Sequence, residues 1–301
     1  MKKSTAKGPK IQNPNSGTLY VVSTPIGNLE DVTLRALRVL KDVDLIAAEN
    51  VQHSKGLCRH YGIKTKLTRY NQHNKGVKGP DLIRRLKSGL DIALVTNAGT
   101  PGVSDPGVLL INQAAEANIN ISPIPGPSAV VAALSISGLR TDRFVFLGFL
   151  SNKAGKRKKE LRNLISEPRT MVFFEAPHRI QAMLMDLKEI LGDRQIVVLR
   201  EMTKVYEEAR RGPVSTILDQ LEADKVKGEF TLVVAGKAVV EDEHLLDQET
   251  QKNIKKLMKE KNMSIKDIAG HLSGEGGLTY RRLYKECLSI KREMSASNEV
   301  N

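Results

Sequence analysis

The chain has 301 residues, of which 40% are hydrophobic, and 47 Lys and Arg against 34 Asp and Glu give a formal net charge of +13. At roughly 150 residues per domain this length predicts two domains, and the hydrophobic content excludes a wholly disordered chain. The basic balance predicts an anionic partner, with nucleic acid as the first expectation and a membrane surface as the second, and no apolar stretch approaches the ~18 residues that a membrane span needs.

The N-terminal half of the sequence alternates short apolar strands with amphipathic helices. Residues 1–16 are polar and basic and lack the apolar core of a signal peptide, which predicts a flexible basic tail. An N-terminal α/β domain is then expected over residues 17–135, where a helix begins after Thr33 and another ends near Gly89. The predicted strands are 19–22, 45–48, 92–96 and 119–124. Such buried strands indicate a parallel sheet covered by helices on both faces.

The same alternation resumes after a charge run at residues 152–159. We predict a C-terminal α/β domain over 136–240, followed by a basic helical segment over 241–301 that is broken at a Gly-rich turn, 274–277. The strands expected are 170–174, 195–199 and 230–234, and the helices are about 177–191 and 214–221. Only two cysteines occur, far apart, and no histidine pair has metal-ligand spacing, so we expect reduced thiols, no metal and a cytoplasmic protein.

Three loops rich in glycine and proline leave strands of this predicted fold. They cover residues 23–28, 97–107 and 125–129. Ligands of open parallel sheets collect at the carboxyl ends of the strands, glycine lets a ligand approach the backbone, and Ser128 is placed to cap the next helix. Tight turns without a ligand would have the same composition, so that alternative stays open. No GxGxxG follows a strand and no GxxxxGK[ST] occurs, which argues against dinucleotide and P-loop nucleotide sites.

Charged residues also follow two strands of the second half. His178 and Arg179 lie where a helix begins, and residues 200–204 follow the next strand. They are consistent with the wall of a ligand cleft. They are equally consistent with polar residues at the start of a helix or with a salt bridge between domains.

Several motifs together resemble those of the tetrapyrrole methylase family, the class III methyltransferases that use S-adenosylmethionine. The matching segments are 23–29, 44–49, 98–102, 104–107, 125–129, 143–144, 148–150, 178–179 and 200–204. The resemblance implies two α/β domains with S-adenosylmethionine in a cleft between them, and a homodimer. Within the family the motifs are most similar to the branch that methylates the ribose 2′-hydroxyl of a cytidine in 16S ribosomal RNA, in the decoding region of the small ribosomal subunit.

The resemblance also assigns residues to roles. It implies cofactor contacts from Pro25, Ile26, Gly27, Gly99, Thr100, Pro101, Ser104, Asp105, Pro125, Ser128, Ala129, Phe174, Glu175, Leu232 and Val233. The sequence departs from the usual family pattern at Asn50, Gln52, Lys75 and Asn97, where the family has Asp, Arg, Glu and Asp.

A ribose hydroxyl is a weak nucleophile, so a base or a cation near it should help the transfer. The candidate catalytic residues are Glu49, Glu175, Glu201 and Lys204. The candidate RNA-binding residues are Lys153, Lys156, Arg157, Lys158, Lys159, Arg179, Arg281 and Arg282. Two alternatives to RNA methylation stay open: a methyltransferase for tetrapyrrole-type small molecules, and a catalytically impaired homologue that binds RNA or the ribosome.

Overall fold

The computed structural model describes residues 16–222, 227–238, 248–260, 263–273 and 280–298. Residues 1–15 of the predicted tail (1–16), the domain limit near residue 240 and the Gly-rich turn at 274–277 lie outside these ranges. The described residues up to 238 form one compact unit, and the described residues from 248 onward form a second.

The first unit begins with a lobe built on one parallel sheet, here called the first lobe (residues 17–138). Its strands are β1 (Thr18–Val22), β2 (Leu45–Ala48), β3 (Leu67–Arg69), β4 (Ile92–Val95) and β5 (Asn120–Ile124), in the spatial order β3-β2-β4-β1-β5. Its helices are α1 (Leu34–Asp42), α2 (Val51–His60), α3 (Lys75–Lys87), α4 (Val108–Glu116) and α5 (Ala129–Ser137). All four strand pairings are parallel, which confirms the predicted arrangement.

Local capping explains where two helices of the first lobe begin. The Thr33 side chain accepts a hydrogen bond from the Ala36 N–H at 3.1 Å, as the sequence predicted for the start of α1. The Asn50 side chain accepts from the N–H groups of Gln52 and His53 at 3.0 and 3.4 Å, and so begins α2, a helix that the sequence analysis missed. Each such cap stabilises a helix by about 1 kcal/mol.

Both faces of the first sheet are covered by apolar clusters. One cluster packs Val39 and Leu40 of α1 against Ile46 of the sheet. The other packs α3 and α4 against the opposite face, with Leu82 and Leu110 fully buried. Burial of one such side chain contributes about 1.5–3 kcal/mol, so these clusters hold the strands of the first sheet in place.

The second lobe (residues 139–238) has a sheet that differs from the prediction. Its strands are β6 (Phe144–Gly148), β7 (Thr170–Glu175), β8 (Gln195–Arg200), β9 (Glu208–Pro213) and β10 (Phe230–Val234), in the order β6-β7-β10-β8-β9. Its helices are α6 (Ala154–Arg162), α7 (Ile180–Leu191) and α8 (Val214–Glu222). Only β6 and β7 are parallel, and the other three pairings are antiparallel, so the sheet is mixed rather than parallel.

Helix α5 joins the two lobes. Its residues Val130 and Leu134 pack against Val172 and Val233 of the second sheet, so this helix of the first lobe covers one face of the second. The helix ends at Gly138, whose φ of +71° is the left-handed conformation that glycine adopts readily. The domain limit predicted between residues 135 and 136 therefore falls inside α5.

The second unit consists of the helices α9 (Gln248–Glu260), α10 (Ile265–Leu272) and α11 (Tyr280–Asn298). They share a small apolar core that includes Ile254, Ile268, Leu283 and Cys287. Within the described ranges, no helix combines the length and apolar character required to cross a bilayer.

Candidate functional site

The loops that follow β1 and β4 are hydrogen-bonded to each other at the carboxyl edge of the first sheet. Thr24 and Gly99 exchange two backbone hydrogen bonds of 2.9 Å each. The hydroxyl groups of Ser23 and Thr100 lie 2.8 Å apart in a further hydrogen bond. Because β1 and β4 are neighbours that are not consecutive in sequence, this edge is the switch point where open α/β sheets bind ligands.

The loop after β4 has an unusual backbone at two positions. Gly99 has a φ of +72°, and Ser104, which carries a side chain, has a φ of +62°. A side-chain-bearing residue pays roughly 1–2 kcal/mol for that conformation, which is typical of functional loops. Ser104 also contacts the second lobe, since a Cβ at Gly148 would lie only 2.6 Å from the Ser104 Oγ.

The loop between β8 and β9 contacts the first lobe at Gly27. A Cβ added there would lie 2.6 Å from the Thr203 Oγ1 and from the Lys204 Cγ. The Asn28 N–H also donates to the Thr203 Oγ1 at 3.0 Å. Gly27 therefore lets the two lobes approach each other, and its contact with a cofactor, which the resemblance implied, stays a prediction.

Between these contacts lies a cavity of about 420 Å³, which we call the interlobe cavity. It is lined by Ile26, Glu49, Asn97, Ala98, Gly99, Thr100, Val103, Ser104, Asp105, Ser128, Ala129, Val130, Phe149, Phe174, Glu175, Ala176, Pro177, Met202, Glu229, Phe230 and Thr231. These residues come from the strand-exit loops of the first lobe and from the facing edge of the second. The volume falls in the range of small-molecule sites.

Most of the residues expected to contact a cofactor line this cavity. They are Ile26, Gly99, Thr100, Ser104, Asp105, Ser128, Ala129, Phe174 and Glu175. Ser128 occupies the N-cap position of α5, but its side chain makes no capping hydrogen bond, so the predicted cap is wrong. Its hydroxyl and the first amides of the helix are therefore available to a ligand.

The other expected contacts lie elsewhere. Pro25 lines a neighbouring hollow of about 540 Å³, Pro101 is buried and Pro125 is exposed. Leu232 and Val233 are fully buried in the core of the second lobe. Because β10 runs antiparallel to β7 and β8, its first residues reach the cavity edge instead of its middle ones.

Several lining residues were not predicted. Phe149 and Phe174 form an aromatic wall with ring centroids 5.6 Å apart, and Met202 and Phe230 add apolar surface. Phe149 is 55% exposed in spite of its size. The segment 148–150, which matches the family's motifs, was the signal in the sequence that could have identified it.

Two carboxylates of the first lobe share the interlobe cavity. Glu49 follows β2, and its Oε2 accepts a hydrogen bond of 3.2 Å from the Asn97 N–H. The pKa of the Asp105 carboxyl is raised from 3.8 to about 6, first because burial disfavours its charge and second because Glu49 repels it. A hydrogen bond with the Thr96 side chain opposes this rise in part. A pKa near neutrality is suited to proton exchange.

Glu175 is the carboxylate of the second lobe that lines the cavity. It is 2% exposed, its Oε1 accepts the Ala176 N–H at 2.8 Å, and Arg179 forms an ion pair with it at 3.0 Å. Its Oε2 is buried and has no hydrogen-bond partner among the described residues. An unpaired buried carboxylate oxygen is costly, so it indicates a place for a donor group of a ligand.

The candidate catalytic residues Glu201 and Lys204 do not line the interlobe cavity. The Lys204 ammonium lies 2.9 Å from a Glu201 oxygen and 3.0 Å from a Glu229 oxygen. Burial opposes the charge of Glu201, but the bonds from Lys204 and the Glu229 N–H lower its pKa overall. This network holds the β8–β9 loop and lies within the second lobe, so it is not the salt bridge between domains that the sequence allowed.

The predicted RNA-binding cluster on α6 is divided by the structure. Arg157 is 5% exposed and pairs with the buried Asp186 at 2.7 Å, so it is not presented to a partner. Lys158 pairs with Glu189 at 2.6 Å. The remaining members, Lys153, Lys156 and Lys159, are exposed on the surface.

The other predicted RNA contacts also differ in exposure. Arg179 donates to the carbonyl oxygens of Leu150 and Ser151 at 2.7 and 3.3 Å, so it is held inside the second lobe. In α11 of the second unit, Arg281 is exposed and Arg282 is half-buried. Surface cations that could meet RNA are therefore fewer than the sequence suggested.

Comparison with known proteins gives one family. Residues 18–218 match the family model described as Tetrapyrrole (Corrin/Porphyrin) Methylases. A Synechocystis sp. protein named ribosomal RNA small subunit methyltransferase I is 43% identical over 92% of this chain and 99% of its own. A Bacillus subtilis protein of the same name is 47% identical over 73% of this chain and 75% of its own.

Solved structures give the same fold at lower identity. A uroporphyrin-III C-methyl transferase from Thermus thermophilus, complexed with S-adenyl homocysteine, superposes with a TM-score of 0.54 and 17% identity. The match covers 73% of this chain and 97% of that one.

Proposed function

The chain belongs to the family of tetrapyrrole (corrin/porphyrin) methylases, and from that membership we propose that it transfers a methyl group from S-adenosylmethionine to 16S ribosomal RNA of the small subunit. Within that reaction we propose that the acceptor is the ribose 2′-hydroxyl of a cytidine in the decoding region. We also expect a homodimer that acts in the cytoplasm, where ribosomal RNA is found. The interlobe cavity, with the unpaired Glu175 oxygen in its wall, is the observation that carries the proposal.

The residues of the cavity fit S-adenosylmethionine chemically. That molecule has an ammonium, an adenine amino group and ribose hydroxyls that need acceptors, and Glu175 and Asp105 supply carboxylate oxygens. Its adenine ring needs apolar contact, which Phe149, Phe174 and Met202 supply. When bound, it supplies an electrophilic methyl group on a sulfonium. The loop residues Gly99 and Thr100 and the amides at the start of α5 would hold its polar groups.

The chain's own contribution to the chemistry is positioning and proton transfer. The acceptor hydroxyl must lose a proton as its oxygen bonds to the methyl carbon, and Glu49 is the carboxylate placed to take that proton. In the same cavity the charge of Glu49 raises the pKa of Asp105, because the two negative charges repel each other. The walls formed by both lobes limit the access of water.

Glu49→Gln tests the role of the base. Single-turnover methylation should slow by about 10²–10⁴-fold, the range typical of a general base, while calorimetric binding of S-adenosylmethionine stays within about twofold of the wild type. An unchanged rate would remove Glu49 from the mechanism.

The exposed cations of α6 support an RNA substrate. Lys153, Lys156 and Lys159 can contact phosphates, and each contact releases counterions, so RNA affinity should fall steeply with salt. A flat salt dependence would contradict an RNA partner.

Two assays together test the function itself. We expect calorimetry to show binding of S-adenosylmethionine and tritiated methyl groups to appear in RNA of small ribosomal subunits from cells lacking the protein. Mass spectrometry of that RNA would identify the nucleotide. Binding without transfer would support a catalytically impaired homologue instead, and transfer only to a tetrapyrrole would support the small-molecule alternative.

A further inference from the structure

A second hollow, of about 370 Å³, lies beside the interlobe cavity at the carboxyl edge of the first sheet. We call it the amide hollow, because side-chain amides dominate its lining. It is lined by Glu49, Asn50, Arg69, Asn71, Gln72, His73, Asn97 and Pro106. Glu49 and Asn97 also line the interlobe cavity, so the two spaces share a wall that contains the base of the proposed mechanism.

The lining offers more hydrogen-bond donors than acceptors. The Oδ1 of Asn50 accepts the N–H groups at the start of α2, and the Oδ1 of Asn71 accepts those of His73 and Asn74 at 3.1 and 3.2 Å. With these oxygens used, the NH₂ groups of both amides remain to donate. The Oδ1 of Asn97 is buried and, within the described ranges, lacks a partner, so one acceptor faces the donors.

Three exposed side chains of the hollow, those of Arg69, Gln72 and His73, are also available to a ligand. In the part of the chain that the structure describes, the side chains of Gln72 and His73 have no hydrogen bond, and Arg69 forms no ion pair. Donors and acceptors on planar groups suit the edge of a nucleobase or a ribose, and a guanidinium suits a phosphate. Apart from Glu49, the lining carries no negative charge that would repel RNA.

Transfer geometry decides which neighbouring space receives the acceptor. The hydroxyl oxygen must come within about 3–3.5 Å of the methyl carbon, so the acceptor site has to open on the interlobe cavity. The hollow that contains Pro25 shares Asn97 with that cavity but no carboxylate. The amide hollow shares Glu49 as well.

We propose that the amide hollow binds the acceptor nucleoside of an RNA strand, with Arg69 on an adjoining phosphate and Gln72 and His73 on the polar edge of the nucleoside. Glu49, which lines both spaces, then lies beside the acceptor hydroxyl, where it can take the proton while the oxygen approaches the methyl carbon. The inference rests on the proposed function and adds to it the place where the acceptor nucleotide is held out of its stack.

Arg69→Gln and Gln72→Trp test the site. Arg69→Gln removes a phosphate contact, and Gln72→Trp introduces a large ring into the lining at an exposed position that folding should tolerate. Both should raise the KM for small-subunit RNA by about tenfold or more, and both should leave the Kd for S-adenosylmethionine within about twofold of the wild type. Arg84→Gln is the matched control, since it removes the same charge from the first lobe at a side chain that is 78% exposed.

Binding of a short cytidine-containing oligonucleotide, measured without S-adenosylmethionine, separates this inference from the proposed function. Weaker binding by Arg69→Gln and Gln72→Trp, with Arg84→Gln equal to wild type, supports the amide hollow even if no methyl transfer occurs. A different result is that all three variants transfer methyl groups with the KM and the oligonucleotide affinity of the wild type. That result would overturn the amide hollow as the acceptor site and leave the proposed function standing. Equal losses of oligonucleotide affinity in Arg69→Gln and Arg84→Gln would also overturn the amide hollow as the acceptor site, because binding would then depend only on the net charge of the protein.

Discussion

Asp105 should make the protein less stable as pH rises through neutrality. Its pKa of about 6 in the fold lies above the ordinary 3.8, so between these values the folded chain binds more protons than the unfolded chain. Stability therefore falls with increasing pH through this window. A shift of this size corresponds to about 3 kcal/mol when the group is fully ionised, of which about 1.4 kcal/mol develops between about pH 5 and about pH 8.

The substitution Asp105→Asn isolates this effect. The variant keeps the shape of the side chain and cannot ionise. The difference in free energy of unfolding, variant minus wild type, should therefore increase by about 1–1.5 kcal/mol from pH 5 to pH 8. Urea denaturation followed by circular dichroism at several pH values measures the difference. Because Glu49 repels Asp105, Glu49→Gln should reduce the pH-dependent difference without abolishing it, since burial is the larger cause.

Asp142→Asn is the control for this measurement. Asp142 is exposed, and its hydrogen bond with Arg140 lowers its pKa below 3.8, so it titrates below the window in question. Its removal should leave the pH dependence above pH 5 unchanged. If the free energies of unfolding of Asp105→Asn and the wild type change with pH in parallel from pH 5 to pH 8, the raised pKa of Asp105 is wrong.

Three further outcomes follow from the contacts between and within the lobes. Gly27→Ala should destabilise the protein by about 1–3 kcal/mol in thermal unfolding, because its Cβ would overlap the β8–β9 loop, whereas Gly56→Ala in α2, with open space around it, should be neutral or stabilising. Arg157→Leu should lower the unfolding free energy by about 3 kcal/mol, since the buried Asp186 would keep only its longer ion pair with Lys158 at 3.6 Å, and RNA affinity measured by filter binding should not change. Lys156→Gln should leave the unfolding free energy unchanged and weaken RNA binding. It should also reduce the slope of log affinity against log salt by about 1.

The sequence predicted the first lobe well because its elements are defined by strong local signals. Its buried apolar strands, such as β4, and the Thr33 cap are evident from the local sequence. The loops that follow the strands were predicted to form a ligand site, and Gly99 and Ser128 of these loops line one cavity. Helix α2 was missed because few of its residues are apolar and because it begins on the side chain of Asn50.

The second lobe was predicted less well for reasons that depend on tertiary structure. Strand β9 is rich in charged and polar residues and forms the edge of its sheet, so it lacks the apolar pattern of a buried strand. The resemblance implied cofactor contacts from Leu232 and Val233, whereas Phe230 and Thr231 line the cavity, because the antiparallel direction of β10 is not encoded locally. Arg157 belongs to a charge run, and only the packing of α6 on α7 reveals its buried partner.

The central claim is that the interlobe cavity binds the methyl donor. A crystal structure of the protein with S-adenosylhomocysteine, the product of the transfer, tests it most directly. We predict electron density between the loop at Gly99 and the second-lobe residues Phe174 and Glu175, with a donor group of the product bonded to the Glu175 Oε2. Density at another place on the protein, or a cavity that stays free of the product at saturating concentration, would contradict the account.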